Sequence, residues 1–452
     1  MSTSLMWFRR DLRLSDHPAL AVAAGSGAVL PVFVLDPRLL ATAGPVRTSC
    51  LLQALDALRR ATDGALVVRT GDPATVLPDL VAEIGAEAVH VTGETTPFGR
   101  RRDRTVEAAL DVPLVTTGSP YAVTPGRLRN AGGDPFQVYS PFARAWREHG
   151  WPPPAATPRV RWSRRVDSEE LPPSPLAGVE DAPELPVCSE QAAQERLRAF
   201  LDDGLADYAE HRDRPDLNRT SELSMHLKYG TVHPRTVLDG LTGIDARSRA
   251  AKGAEKFAGE LAWRDFYADV LWHHPRSAWQ DLRPALRGMR YDEPDATFDA
   301  WRAGRTGFPL VDAGMRQLTA VGWMHNRVRM VTASFLTKDL HIWWPYGARH
   351  FMDHLRDGDL SSNNHNWQWV AGTGTDPSPY FRIFNPVTQA RRFDPQGDYV
   401  RRWVPELRHL EGAAVHEPWT ASDGAAHGYP ERVVDHAAER AEALARYEAV
   451  RG

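Results

Sequence analysis

Apolar residues in the first 130 positions come in short runs separated by amphipathic stretches. The runs Ser4–Phe8, Val29–Leu35, Leu66–Arg69, Ala88–Thr92 and Pro113–Thr116 predict strands, and Arg47–Arg60 and Thr75–Ile84 predict helices between them. Strands that are apolar at consecutive positions must be covered on both faces, so the pattern implies a parallel, Rossmann-like sheet in an α/β domain. No nucleotide fingerprint accompanies it. Gly25-Ser26-Gly27 precedes its strand instead of following one, and reads as a turn. From Trp151 to Pro186 the periodicity gives way to a stretch rich in Pro, Glu and Ser, with WPPP and LPPSP, which reads as a connector. After Cys188 the pattern is helical. The expected organisation is an α/β domain over 1–130, a connector over 131–190 and a larger all-α domain over 191–452.

Composition narrows the setting. The 452 residues suffice for two or three domains, and no run of eighteen apolar residues occurs, so no transmembrane helix is expected. The opening MSTSLMWFRRDLRLSDHP becomes charged too early for a secretory signal. With only Cys50 and Cys188, neither a disulfide framework nor a cysteine-rich metal site is expected, and a cytoplasmic setting follows. The net charge of −4 says nothing of nucleic acid. Lysine, however, occurs only at 228, 252, 256 and 338, and nearly all cations are Arg, which forks around phosphate and stacks on flat rings.

Four clusters in the second half carry chemistry. Thr220-Ser221-Glu222-Leu223-Ser224 offers hydroxyls and free backbone N–H groups where a helix opens, which suits phosphate or a simple cap with a capping-type Glu. Glu260, Trp263, Arg264 and Tyr267 share one helical face, either a site or a solvated face with an ion pair. In Gly322–Met330 another face gathers Asn326, Arg329 and Met330, a set suited to a flat heteroaromatic ligand. Asp357-Gly358-Asp359 opens the fourth cluster, which runs to Trp369. Two carboxylates could bind a cation, as in enzymes handling nucleotide sugars, but no further acidic partner follows before Asp376, and no metal is expected. His350 and His354 lack the adjacent Glu of a zinc protease motif and read as structural.

These clusters, with WFRRDLRLSDHPAL, YAEHRDRP, ELAWRDFY, TGFPLVDAGMRQL, DGDLSSNNHNWQW and YFRIFNPVTQARRFDP, resemble the photolyase and cryptochrome family over nearly the whole chain. The resemblance is greatest to bacterial class I cyclobutane pyrimidine dimer photolyases. It implies an antenna domain followed by a helical domain holding a U-shaped FAD, active when reduced and anionic. The implied FAD contacts are Tyr208, Thr220, Ser221, Leu223, Ser224, Arg264, Arg329, Asp357, Asp359 and Asn363. Asn363 matches the position facing the flavin N5 atom, where plant cryptochromes carry Asp and insect ones Cys. This favours repair over the alternative, a blue-light receptor signalling to a protein.

The same resemblance implies a dimer pocket of Glu260, Trp263, Asn326, Met330 and Trp369. Photolyases of the 6-4 class carry a His pair where this chain has Met324-His325-Asn326-Arg327, so Asn326 points to cyclobutane dimers. Arg212, Arg327 and Arg382, with help near Arg144, are expected to grip the phosphates of damaged DNA, the one partner implied for a monomer. Trp367 and Trp344 match the first two members of an electron-transfer chain. The third position is Tyr291, with Trp301 and Trp279 as possible substitutes. Arg47 and Asp103, in and near PFGRRRD, resemble members whose antenna is 8-hydroxy-5-deazaflavin more than those that bind folate.

Overall fold

The computed structural model describes residues 2–164, 166–376 and 381–450. Its first part is a parallel sheet of β1 (Thr3–Phe8), β2 (Ala28–Leu35), β3 (Val67–Thr70), β4 (Ala88–Val91) and β5 (Leu114–Thr116), in the order β3-β2-β1-β4-β5. Every residue of β1 is buried. Met6, Phe8, Val29, Phe33 and Leu35 enter one core, and Leu5, Trp7, Leu30, Val32 and Val34 another. The near-continuous apolar runs thus follow from a sheet sandwiched between two layers.

The intervening helices are α1 (Pro18–Ser26), α2 (Pro37–Ala61), α3 (Pro73–Ile84) and α4 (Pro97–Ala109). Each starts with Pro, whose missing N–H costs nothing there, after a residue whose side chain accepts a backbone N–H: His17, Asp36, Asp72 and Thr96. The helix expected from Arg47 is the second half of α2, which breaks at Gly44 and restarts at Pro45.

The stretch expected as a connector is more ordered than its composition suggested. Within it, α5 (Tyr139–His149) buries Phe142 and Trp146 in the helical core, and β6 (Arg161–Trp162) pairs with the start of β2. Ser168 Oγ also accepts from the β3 amide of Val68. This segment lacks its own core and folds by borrowing partners on either side. Upstream of it, Ala122, Val123 and Leu128 also pack with the helical half.

From Glu190 onward all named elements among the described residues are helical. Four of them build the site: α6 (Arg249–His273), α7 (Asn326–Ser334), α8 (Trp344–His354) and α9 (Leu360–Ala371). No helix among the described residues is long and apolar enough to cross a membrane.

The two halves are locked together. Met225 and Tyr229 of the short helix Ser224–Tyr229 lie in the core on one face of the sheet. Asp16 accepts from Arg235 (2.6 Å) and Thr236 (3.0 Å), and the Leu12 N–H donates to the Tyr229 carbonyl at 3.2 Å. Gly230 has φ +68°, and a Cβ there would sit 2.5 Å from the Arg10 carbonyl carbon. Gly230→Ala therefore combines left-handed strain with a backbone clash. A loss of about 2–4 kcal/mol is expected, read as a lower urea midpoint; an unchanged midpoint would show that this junction yields freely.

Candidate functional site

A cavity of about 450 Å³ opens among α6, α7, α9 and the helix Ser224–Tyr229, within the range that holds cofactors. Helical spacing delivers its lining. Glu260, Trp263, Arg264 and Tyr267 reach it from α6; Asn326, Arg327, Arg329 and Met330 from α7; Asn363, Asn366, Trp367 and Val370 from α9. The faces anticipated from i, i+3, i+4 spacing do converge.

At one end lie Tyr208, Thr220, Ser221, Leu223 and Ser224. The helix opens only at Ser224, so Thr220 and Ser221 stand in the loop before it. Arg196 holds that loop by donating to the Thr220 and Ser221 carbonyls at 3.0 and 2.8 Å. The alternative of a capping Glu does not hold. Glu222 has φ +50° and pairs instead with Arg356 at 2.8 Å, because its backbone makes the turn into the helix. The Thr220 hydroxyl is buried and has no hydrogen-bond partner among the described residues.

Next come two buried carboxylates. Arg329 donates to both oxygens of Asp357 (3.2 and 2.9 Å), and the Ser224 hydroxyl donates to it at 2.6 Å. Burial opposes ionisation of Asp357, but Arg329 and Ser224 outweigh it and hold the carboxyl below its usual pKa. Asp359 accepts from the Ser362 N–H at 3.1 Å, which caps α9, and from Arg10 of the N-terminal half at 3.1 Å. Burial again opposes its charge, and Arg10, Lys228 and Arg264 overcome it, so Asp359 titrates well below the ordinary range. Arg264 donates to the Pro120 and Leu227 carbonyls. With arginines on both carboxylates, the acidic pair is already satisfied without a cation.

Deeper along α9, the Asn363 amide nitrogen donates to the Ala348 carbonyl and to Asn364 Oδ1. Its own Oδ1 is the polar atom left for the cavity.

At the other end Glu260 pairs with Arg212, and burial raises its pKa against that arginine's pull. Trp263 stacks on Tyr139, with ring centroids 3.7 Å apart and planes 5° from parallel. Trp369 lines the same cavity, with the Arg382 guanidinium 5.7 Å from its ring centre. Asn326 Nδ2 lies 4.0 Å from the Met330 sulfur. Arg327 pairs with Asp213 at 3.0 Å and lies over Phe393, whereas Arg144 is exposed. Arg212 and Arg327 are thus partly neutralised by carboxylates, which their sequence reading did not include.

Other expected residues lie outside the cavity lining. Trp344 is fully buried and donates to Asp281 at 2.7 Å. Trp301 is also fully buried, 6.2 Å from Trp367 between ring centroids. Arg349 lies over Trp279. Arg47 and Asp103 have separate partners: Arg47 donates to the Thr42 carbonyl, and Asp103 is bound by Arg9 and Arg102.

The sequence reading missed Tyr139, Arg10 and Lys228. Tyr139 fell in the supposed connector. Arg10 stood in a quoted motif without a role. Lys228 lines the cavity and is pushed down to about 7 by burial and by Arg10. Its signal was its rarity, four residues after Ser224 on the same helix.

A parallel sheet joined to helices around a hydroxyl- and arginine-lined cavity defines a protein built to hold a dinucleotide-like cofactor in its helical half. The profile described as DNA photolyase matches residues 4–159, and that described as FAD binding domain of DNA photolyase matches 257–449. The deoxyribodipyrimidine photo-lyase of Streptomyces griseus is 42% identical over 468 residues, covering 100% of both chains. A bacterial class III photolyase from Agrobacterium tumefaciens superposes with TM-score 0.88 at 36% identity, covering 100% of this chain and 98% of that one. A Synechocystis cryptochrome gives TM-score 0.90 at 29% identity, covering 99% of each. The chain belongs to the DNA photolyase family, and its helical half is that family's FAD-binding domain.

The residues present fit FAD. The unpartnered Thr220 hydroxyl, the Ser and Arg donors and the free Asn363 oxygen are the groups a dinucleotide and a flavin ring would engage. Because Asp357 is held below its ordinary pKa, its pairing stabilises the fold above the carboxylate range, and that contribution is lost as pH falls through it. Arg329→Ala strands the buried charge and should cost about 3 kcal/mol at neutral pH. The gap between parent and variant should close on acidification, since a protonated Asp357 needs no partner. Urea unfolding at stepped pH checks this, and a pH-independent gap would contradict it.

Proposed function

We propose that this protein repairs cyclobutane pyrimidine dimers in DNA with light, holding reduced, anionic FAD in the cavity and a flipped dimer at its mouth. The observation that carries the reading is convergence: Glu260, Asn326, Met330, Trp263 and Trp369 open onto the same cavity as Asn363 and the Arg329–Asp357 pair. When bound and excited by light, the flavin supplies one electron and takes it back, so no net redox change results.

The chain's own residues do the rest. Tyr208, Thr220, Ser221, Leu223, Ser224 and Arg264 would hold the cofactor's diphosphate and sugars. Arg329, paired with Asp357, would serve the ring's polar edge, and the Asn363 amide oxygen, left without a donor, would accept from a protonated N5. Trp263 and Trp369 clamp unstacked pyrimidines; a dimer already weakens its own stacking, which lowers the cost of extrusion (photolyases are among the known flipping enzymes). Glu260, whose pKa burial raises, hydrogen-bonds the dimer carbonyl as it gains charge. Arg212 pulls the Glu260 pKa down against burial, so a DNA phosphate competing for Arg212 would shift Glu260 toward the protonated, donating carboxyl. Arg327 and Arg382 complete the phosphate grip.

For the antenna, 8-hydroxy-5-deazaflavin remains the reading over folate. Its support is the family resemblance at Arg47 and Asp103; at the sheet's switch point, the place where such folds bind ligands, Arg9 and Arg102 pair with Asp103, and Arg10 with Glu94 and Asp359. The setting inferred is the cytoplasm, with damaged DNA as the one macromolecular partner.

The test is direct. FAD-loaded, dithionite-reduced protein is mixed with a dimer-containing oligonucleotide under blue light. Dimers should disappear in light and persist in darkness. Glu260→Ala should retain FAD and repair roughly ten- to hundredfold more slowly, the worth of a hydrogen bond to a charged group. Binding should weaken steeply with salt, as phosphate contacts require. Dimers left intact by the illuminated, flavin-loaded parent would refute the reading.

A further inference from the structure

We propose that Trp343, and not Tyr291, is the residue through which electrons from solution enter the indole chain that ends at Trp367. The inference rests on the proposed function in placing FAD in the cavity, and on the family resemblance in taking Trp367 as the donor nearest the flavin.

Three indoles follow the start of α8 outward from the cavity. Trp367 lines the cavity and packs on α8 at Gly347, where a Cβ would sit 2.7 Å from Cζ3 of its ring. Trp344 lies one turn earlier on α8, about 5 Å along the axis. Trp343 is its neighbour, with ring centroids 6.4 Å apart, and is half-buried where Trp344 and Trp367 are buried. Exposure thus appears at Trp343, where a dissolved reductant can reach.

Both outer indoles converge on one acid. Trp344 Nε1 donates to Asp281 Oδ1 at 2.7 Å, and Trp343 Nε1 donates to the same atom at 3.2 Å. Asp281 is buried. An indole that has lost an electron is a cation with a more polar N–H, so a carboxylate on that N–H stabilises it directly. The positive hole therefore has a favoured resting place at the Asp281 side of α8.

The other candidates lack this. A tyrosine gives up an electron readily only if its proton has somewhere to go. The Tyr291 hydroxyl is buried with no hydrogen-bond partner among the described residues, and burial, with the charge of Asp281, pushes its pKa up. Asp281 accepts from the two indoles and not from Tyr291. Trp279 lies under the Arg349 guanidinium, which disfavours a second positive charge. Trp301 touches Trp367 but is fully buried, with its N–H on the Thr332 carbonyl, and offers no way out.

The balance is simple. Trp367 gives one electron to light-excited oxidised flavin; Trp344 refills Trp367, and Trp343 refills Trp344. A thiol in solution then returns one electron to Trp343, loses its proton to water and ends as half of a disulfide. The Trp343 Nε1 proton stays on nitrogen, held by Asp281, so one electron passes from thiol to flavin.

Protein carrying oxidised FAD is illuminated with blue light and dithiothreitol, and flavin bleaching is followed. Trp343→Phe should bleach roughly tenfold more slowly or worse, having lost the charge-stabilised outer site, while Tyr291→Phe bleaches at the parent's rate. Radical identity supplies a second readout on the parent itself. With an oxidant replacing the thiol, the light-induced paramagnetic signal should narrow when ring-deuterated tryptophan is incorporated and stay unchanged with ring-deuterated tyrosine. Parent-like bleaching by Trp343→Phe, slowed bleaching by Tyr291→Phe, or narrowing with labelled tyrosine would each overturn the assignment. Repair by the dithionite-reduced parent needs no indole chain, so its failure would count against the proposed function alone.

Discussion

Two buried negative charges, Asp357 and Asp359, stand on either side of Gly358 and cannot be left alone. Each needs a cation, and the chain supplies them from distant places: Arg329 from α7 and Arg10 from the end of β1. Leaving a buried carboxylate unpaired costs several kcal/mol, so this one turn dictates how α7, α9 and the sheet approach one another. The cavity is the space left when those demands are met. Asp359 also caps α9, which orients the face bearing Asn363 and Trp367.

That constraint explains why the fold was so legible. Strand positions followed from apolar runs because a sheet covered on both faces tolerates little else; the helices from Arg47 and Thr75 were read from amphipathic spacing, and the capping side chain and Pro that open all four helices were a signal left unused. Site residues on α6 and α7 were legible because helical spacing puts them on common faces, and those on α9 were assigned from the family resemblance. What was missed depends on contacts that spacing does not encode. Tyr139 matters only because it stacks on Trp263, more than a hundred residues along the chain. Glu222 mimics a capping box in sequence, but its positive φ and its pairing with Arg356 are set by the turn. The Pro-rich connector misled for a related reason: composition reports whether a segment can fold by itself, and this one leans on β2 and on the helical core instead.

The arginines illustrate a second limit. From sequence, Arg212 and Arg327 look like spare cations waiting for phosphate. In the structure each is engaged by a carboxylate, Glu260 and Asp213 respectively. On the proposed reading, a phosphate reaching either arginine would displace its carboxylate partner, which for Arg212 would couple DNA contact to the protonation of Glu260. The near-neutral overall charge is consistent with such balanced pairs, and it hides them from any reading of composition.

The shared core beneath the sheet has a bearing on how the chain is made. The face formed by Met6, Phe8 and Phe33 is closed in part by Met225 and Tyr229. A ribosome working at about 5–20 residues per second finishes β5 several seconds before it reaches those positions. Over that interval the nascent first half carries an oily, half-covered surface of the type that chaperones guard. Its completion awaits the same short helix that borders the cofactor cavity.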